Sequence, residues 1–298
     1  MANLFVIFIS GFFLAAIVGL LASWLDRKIS ARLQFRVGPP WYQPLIDIIK
    51  LLGKETLLPQ GATRWIFLGA PLIGLAGAIV TSLLLLAVGQ SSGFIGDLIV
   101  VLYFLSLPSL AMIIGGSASR NPLSALGSSR EMKLILAYEL PFILATFALV
   151  AKAGTLVLGD LVAWQAANSW FILKLSGVIS FVVSLLVIQA KAGLAPFDIA
   201  EAEQEIAAGP LLEYSGPPLA VFKLTKAMLL FVLPFFLVTL YLGGADNWWP
   251  LKYLFVLTLM VLIKNTNPRL RSDQALRFFW GPVTLLAIIG FLLAVLGC

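Results

Sequence analysis

Histidine is missing from this 298-residue chain, and its only cysteine is the last residue, Cys298. Zinc, haem and iron–sulfur centres draw their ligands mainly from those two residue types, so a redox centre would have to sit on a partner. An internal disulfide is excluded for the same reason. Charge is sparse as well: 11% of residues are charged and 60% are hydrophobic. No soluble globular class has that balance. Polar segments are too short to form an independent domain, and no tandem or inverted repeat is evident, which weighs against a two-half carrier architecture. Nucleophile–base pairs, phosphate loops and metal clusters are lacking too.

What the chain does have is a series of apolar runs about as long as the roughly 20 helical residues that cross a bilayer. These predict an all-α polytopic membrane protein, one membrane domain over residues 1–298, with eight transmembrane helices. The expected spans are 4–25, 65–89, 98–116, 132–151, 170–190, 219–242, 248–263 and 278–296. The charge order around the first run, basic residues after it and none before, reads as a retained helix rather than a leader. Tryptophans 24, 65, 170, 248, 249 and 280 fall near span ends, as an interfacial aromatic belt would place them. Between the first two spans, residues 26–64 form a basic loop in which Leu45, Ile48, Ile49 and Leu52 recur at helical spacing opposite Asp47, Lys50 and Lys54. That pattern predicts a short amphipathic surface helix.

With eight spans, seventeen of the twenty lysines and arginines fall on one side. The bias puts both termini outside and the long loops in the cytoplasm. Basic residues are therefore topology signals first, and nucleic acid is not an expected partner.

Two places carry carboxylates where a membrane protein has reason to avoid them. Residues 191–218 form a loop containing Asp198, Glu201, Glu203, Glu205 and Glu213. Helical spacing would put Asp198, Glu201 and Glu205 on one face with Glu203 elsewhere. Like charges so close are either screened by water or share protons. Pro196, Gly209-Pro210 and Gly216-Pro217-Pro218 favour a segment folded into a cavity. Glu139 lies inside the fourth predicted span, where an ionisable group is a functional candidate by default, and Pro141 opens the backbone nearby. Glu131 lies about 12 Å back along the same face, extending an acidic path from the loop into the membrane. Lys223 and Lys226 are candidate counter-charges; ordinary snorkelling explains them equally well. Arg27, Arg32 and Arg36 before Gly38-Pro39-Pro40 are candidates for docking a partner or lining a cavity, although the side bias alone accounts for them. Asp97, Asp160 and Asp246 are expected to be solvated.

Several spaced motifs resemble subunit 1 of NADH:quinone oxidoreductase, respiratory complex I. They are Asp26-Arg27-Lys28 through Arg36-Val37-Gly38-Pro39; Gln43-Pro44 through Lys54-Glu55; Tyr138-Glu139; Pro196-Phe197-Asp198 through Glu205 with Glu213-Tyr214; and Asn267-Pro268-Arg269 with Asp273-Gln274. Two departures point to a branch. The link from Gly-Pro to Gln-Pro is only Pro40, Trp41 and Tyr42, and the lead into Pro-Phe-Asp is Ala190-Lys191-Ala192-Gly193-Leu194-Ala195 in place of Ala-Glu-x-Asn-Arg. These features look more like the ferredoxin-linked, energy-converting membrane-bound hydrogenases and related sulfane sulfur reductases, and they argue against a quinone site.

The resemblance implies a membrane anchor and coupling subunit in a prokaryotic plasma membrane. It would have no cofactor of its own, with nickel–iron and iron–sulfur centres on hydrogenase-like large and small subunits of a peripheral arm. Antiporter-like membrane subunits would be its neighbours in the bilayer. It implies that ferredoxin oxidation, with hydrogen evolution or sulfur reduction, is linked to proton or sodium translocation. A quinone-site subunit and a stand-alone ion or solute transporter are the alternatives.

Overall fold

The computed structural model describes residues 2–88, 94–244 and 246–297; the side chains of residues 2–10, 203 and 204 are outside the described set, and so is Cys298. All regular structure among the described residues is helical. In order, α1 spans Ala2–Leu33, α2 Gln43–Leu52, α3 Arg64–Ala87, α4 Asp97–Ala118, α5 Pro122–Ala153, α6 Leu158–Asn168 and α7 Leu175–Lys191. After them come a single turn, α8, at Glu203–Ile206, then α9 at Gly216–Tyr241, α10 at Trp249–Thr266, α11 at Ser272–Phe278 and α12 at Thr284–Val295. Helices α3, α4, α5, α9 and the joined α11–α12 are each long and apolar enough to cross a membrane, and α7 is a shorter apolar helix. The chain is thus a polytopic membrane protein.

Helix α9 is the most enclosed element, with every residue from Ala227 to Tyr241 buried. It packs against α1 and α3, while α5 is flanked by α4, α7 and α12. Small residues let these backbones meet, as is usual where lipid removes the hydrophobic drive for helix association. A Cβ at Gly19 would sit 2.3 Å from the Ala227 carbonyl oxygen, and one at Gly77 2.9 Å from that of Phe104. The Phe104 carbonyl is free of its usual helical partner because Pro108, four residues on, has no N–H.

Helices α1 and α5 are longer than their apolar runs. At 32 residues each, they reach about 48 Å and extend beyond a hydrocarbon core of about 30 Å. The expected span from 132 begins ten residues earlier, because Asn121 caps the helix by accepting the Leu123 N–H at 2.8 Å and Pro122 opens its first turn. Ser124, Gly127 and Ser128 in that first part are buried against Pro210 and the loop, so their weak hydropathy hides a packed helix. Likewise α1 continues through Arg27, Lys28 and Arg32, placing these on a helix where a loop was expected.

Three further expectations change. The acidic segment is not a helix with three carboxylates on one face: only Glu203–Ile206 is helical, bounded by the turns around Pro196 and Gly209-Pro210. Helix α6, inside an expected outer loop, packs through Leu158, Leu161 and Gln165. Asp97 is buried rather than solvated and accepts the Leu158 N–H at 2.7 Å, which joins α4 to α6. The amphipathic helix is present as α2, opened by Gln43-Pro44.

Near its start the last transmembrane segment widens into a π-turn at Phe279–Val283. Pro282 supplies no donor there, and Thr284 donates to the Phe279 carbonyl at 2.6 Å across the wider turn. The turn brings Phe279 to 4.8 Å from Phe197 of the acidic loop and to 6.1 Å from Tyr138 on α5.

Candidate functional site

Loop carboxylates are drawn apart by separate partners. Asp198 pairs with Arg269 at 2.6 Å, Glu205 with Arg130 at 2.6 Å, and Glu201 with Lys226 on α9. Glu213 accepts from the Asn121 side chain, the same side chain that caps α5. Glu203 belongs to the turn, but its side chain lies outside the described residues. Repulsion within the sequence cluster is thereby replaced by contacts to four partners on three elements, α5 with its cap, α9 and the segment before α11, around the loop end of the bundle, the end that carries α2 and the acidic loop. Tyr214 secures the segment: its ring stacks on Phe67 at 4.1 Å, and its hydroxyl donates to the Phe67 carbonyl at 2.9 Å. Burial pushes that phenol up, so it remains a donor across the physiological range.

Deeper in, the pattern continues. Glu131 is buried and borders a narrow cavity of about 20 Å³ lined also by Ser109, Lys191, Asp198, Glu201 and Lys226. A single water fits such a space. Beyond it, Lys191 donates to Glu139 at 2.9 Å and to Ser106 at 3.0 Å, and Ser106 donates to the other Glu139 oxygen at 2.9 Å. The Lys191 side chain is 1% exposed and that of Glu139 29%. Rings of Tyr138 and Phe142 lie 4.9 and 5.0 Å from the ammonium. Such a cage offsets part of the cost of burying a cation, the rest being met by the carboxylate.

The resulting order along the path is Glu201–Lys226, then Glu131, then Lys191–Glu139. It alternates in sign and runs from the loop to about the middle of α5. A row of groups that can hold and release protons, spaced by hydroxyls and room for water, is chemically suited to proton relay and to electrostatic transmission.

Three wider cavities open around the loop end. One of about 550 Å³ lies between α1, α2 and α9, bordered by Asp26, Arg27, Asp47, Lys223 and Tyr214 among others. Another of about 450 Å³ adjoins Asp26's partner Lys264, held at 2.6 Å, together with Asp198 and Glu201. A third, about 310 Å³, is lined by Arg130, Asp198, Glu205, Arg269 and Arg271. Of the candidate basic residues, Arg27 pairs with Asp47 at 2.9 Å, while Arg32 and Arg36 are exposed. Lys226 meets a loop carboxylate directly, and Lys223 faces the Asp47 side of the large cavity. Among the described residues, no group of three or more potential ligand residues could hold a metal ion.

The NADH dehydrogenase family profile matches residues 5–295. The chain belongs to the NADH dehydrogenase family of complex I subunit 1, the H-type subunit. It is 35% identical to the H-type subunit of the NADH-quinone oxidoreductase of Thermomicrobium roseum, over 96% of this chain and 94% of that one. Identity to NADH-quinone oxidoreductase subunit 8 of Thermus thermophilus is also 35%, over 95% and 85%. Among solved structures it is similar to a chain of the membrane-bound sulfane sulfur reductase, an archaeal respiratory membrane complex. The TM-score there is 0.91 at 29% identity, covering 98% of this chain and 99% of that chain. This subunit 1 homologue is accordingly a multi-pass membrane subunit of a complex-I-related oxidoreductase complex.

Within that family reading, the sequence had singled out Glu131, Glu139 and the loop carboxylates but not Lys191, Ser106, Arg130 or Arg269. Lys191 had a signal: a lysine ending an apolar run, where the Ala-Glu-x-Asn-Arg lead of the family has a glutamate. Arg269 lay in the Asn267-Pro268-Arg269 motif but had no role assigned to it, and Ser106 and Arg130 had no signal, since only the packing of α4, α5 and the last inner loop brings them in.

Proposed function

We propose that this chain is the anchor and coupling subunit of a ferredoxin-oxidising, complex-I-related membrane complex. The carrying observation is the alternating row from Glu201–Lys226 through Glu131 to Lys191–Glu139. In this reading eight spans cross the membrane, with both termini outside and the loop end in the cytoplasm. A peripheral arm bearing nickel–iron-type and iron–sulfur centres docks on the loop end, touching Arg27, Arg32 and Arg36. Asp198, Glu201, Glu203, Glu205 and Glu213 respond to the redox state of that arm by exchanging partners or protons. Glu131 and Glu139 pass the charge change to antiporter-like neighbours that move protons or sodium. Each step shifts the electrostatic field on the next group, so local chemistry becomes a distant charge movement.

Support for the quinone-independent branch comes from the likeness to the sulfane sulfur reductase chain and from the short link at Pro40–Tyr42. A second reading is favoured by a different observation: the cavity of about 550 Å³ between α1, α2 and α9 would admit a lipid-soluble acceptor, and the Thermomicrobium and Thermus relatives are named as quinone oxidoreductases. Purified assembly supplied with reduced ferredoxin and no quinone separates the two. Turnover yielding hydrogen or sulfide is the expected outcome; turnover that begins only when quinone is added overturns the ferredoxin-linked reading and assigns the cavity to quinone.

A further inference from the structure

Lys191 is the last residue of α7, and the acidic loop starts directly after it. Its ammonium is held by Glu139 at 2.9 Å and Ser106 at 3.0 Å. A static pair leaves two features unexplained. The first is that Lys191 also borders the narrow cavity onto which Glu131 opens, so one cation serves as neighbour to both intramembrane carboxylates of α5. Tyr138, which lies between them in sequence, has its buried hydroxyl beside that of Ser109, which also neighbours Glu131. The second is the backbone that follows. Gln189 holds the turn from inside by donating to the Ala195 carbonyl at 2.7 Å and to that of Met260 at 3.1 Å. Gly193 at its apex has φ +62°, and no heavy atom lies within 4 Å of where its Cβ would be. The turn is anchored at its base, and its tip is held only by local bonds such as that from the Gly193 N–H to the Ala190 carbonyl at 2.9 Å, with open space beside it.

We propose that Lys191 is a positioning residue that alternates between Glu139 and Glu131 as the acidic loop moves, and so decides which of the two carboxylates holds a proton. This rests on the coupling reading above. With the ammonium on Glu139, that carboxylate is ionised and Glu131 carries the proton. When the loop draws the end of α7 toward itself, the flexible four-carbon stem carries the ammonium to Glu131. Glu131 then releases its proton and Glu139 takes one up, by way of the Tyr138 hydroxyl and a water in the cavity. One cation and one proton trade places, so the net charge of the buried site stays constant. Burial is tolerable in both positions for that reason. Glu201 and Lys226 face Glu131 from the loop side, so a change of partner or proton there reaches Glu131 directly and sets the exchange in motion.

The test uses the whole complex in liposomes and compares wild type with Lys191→Met, Lys191→Arg and Glu139→Gln. Ions moved per electron should fall about tenfold in Lys191→Met, less than the roughly hundredfold that loss of a proton-transfer group itself costs, because Lys191 positions the proton without carrying it. Subunit composition and uncoupled electron transfer should be retained, and Lys191→Arg should recover part of the loss. Redox-difference infrared spectra give a second readout that mere packing would not move. The protonated-carboxyl bands, assigned with Glu131→Gln and Glu139→Gln, should rise and fall reciprocally in the wild type. If Lys191→Met couples normally while Glu139→Gln does not, Lys191 has no positioning role although the path stands. If Glu139→Gln couples normally, the coupling reading itself fails. Should Lys191→Met not assemble, carboxyl bands that change together in the wild type would still overturn the exchange.

Discussion

The two ends of the bundle both bury polar groups but satisfy them in opposite ways. At the loop end, side chains pair with side chains from other elements: Glu201 with Lys226, Glu139 with Lys191, Asp198 with Arg269. At the far end they pair largely with backbone. Gln165 accepts the Phe171 and Gly243 N–H groups at 3.4 and 3.1 Å and donates to the Thr239 carbonyl at 3.2 Å. Tyr241 donates to the Ala145 carbonyl at 3.1 Å and contacts the Ser184 hydroxyl at 2.7 Å, and Lys252 donates to the Leu242 carbonyl at 2.5 Å as well as to the Asp246 carboxylate at 2.7 Å, an ion pair at the rim of that end. A backbone partner is fixed by its helix and carries no exchangeable charge. The loop end is built for rearrangement and the far end for closure. Buried rings also pack there: Phe171 and Phe181 against Tyr241, and Phe142 against Phe236.

Removing charge at the loop end should have the largest effect on function. Glu139→Gln keeps the shape and both oxygen or nitrogen positions but abolishes a proton site, so coupled ion transport should drop by about a hundredfold, within the range for a lost proton-transfer group. Assembly should persist, because Ser106 and the rings of Tyr138 and Phe142 still surround Lys191. Ion flux in liposomes, normalised to electron transfer, checks this; full coupling in the variant would show that the row of charges is only structural.

The far end should behave conversely. Gln165→Leu strands two N–H groups and one carbonyl in a buried place, and unsatisfied groups cost about 1–3 kcal/mol each, so a lowered Tm of the purified complex is expected with ions per electron unchanged. Tyr241→Phe removes one hydroxyl and should cost about 1 kcal/mol, again without uncoupling. A far-end variant that leaks or uncouples without losing stability would erase the contrast between the two ends.

How far this division was legible in the sequence follows from what each signal reports. Hydropathy finds groups that face lipid or core, so the apolar bodies of α3, α4 and α9 could be placed within a few residues. It misses helix carried by small residues, which is why the first ten residues of α5 and all of α6 read as loop. Carboxylates stand out in an apolar chain, so Glu131 and Glu139 could be identified on α5 from their spacing. Their partners could not, because pairing across helices is set by packing: nothing local to Ser106 or Arg269 announces that they lie beside Glu139 and Asp198. The expectation of three carboxylates on one helical face failed for the same reason. Each found an opposite charge elsewhere, and those contacts together with Pro196 and Pro210 outweigh the weak tendency of a short acidic run to be helical.

The smallest effect belongs to the Arg27–Asp47 pair, which tests whether charge alone or charge with burial makes the loop end responsive. Burial pushes the Asp47 carboxyl up, but hydrogen bonds from Arg27 and Gln43, with the nearby charges of Arg27 and Lys223, outweigh it and hold the group below the usual carboxylate range. A carboxyl depressed in the folded state adds stability that is present above its unfolded value, about 3.9, and is lost as pH falls through the folded one. The two side chains are 45% and 34% exposed, so water screens the pair and its worth is a few tenths of a kcal/mol. The protection of α2 amides, taken relative to the intrinsic exchange rate at each pH, should accordingly be flat from neutral pH down to about pH 5 and fall only below about pH 4. In Asp47→Asn that acid-side step should vanish, and high salt should shrink it in the wild type. If the step instead appears near neutral pH, or survives the substitution, a more deeply buried group controls α2, and the docking surface and the charged path are one titrating unit.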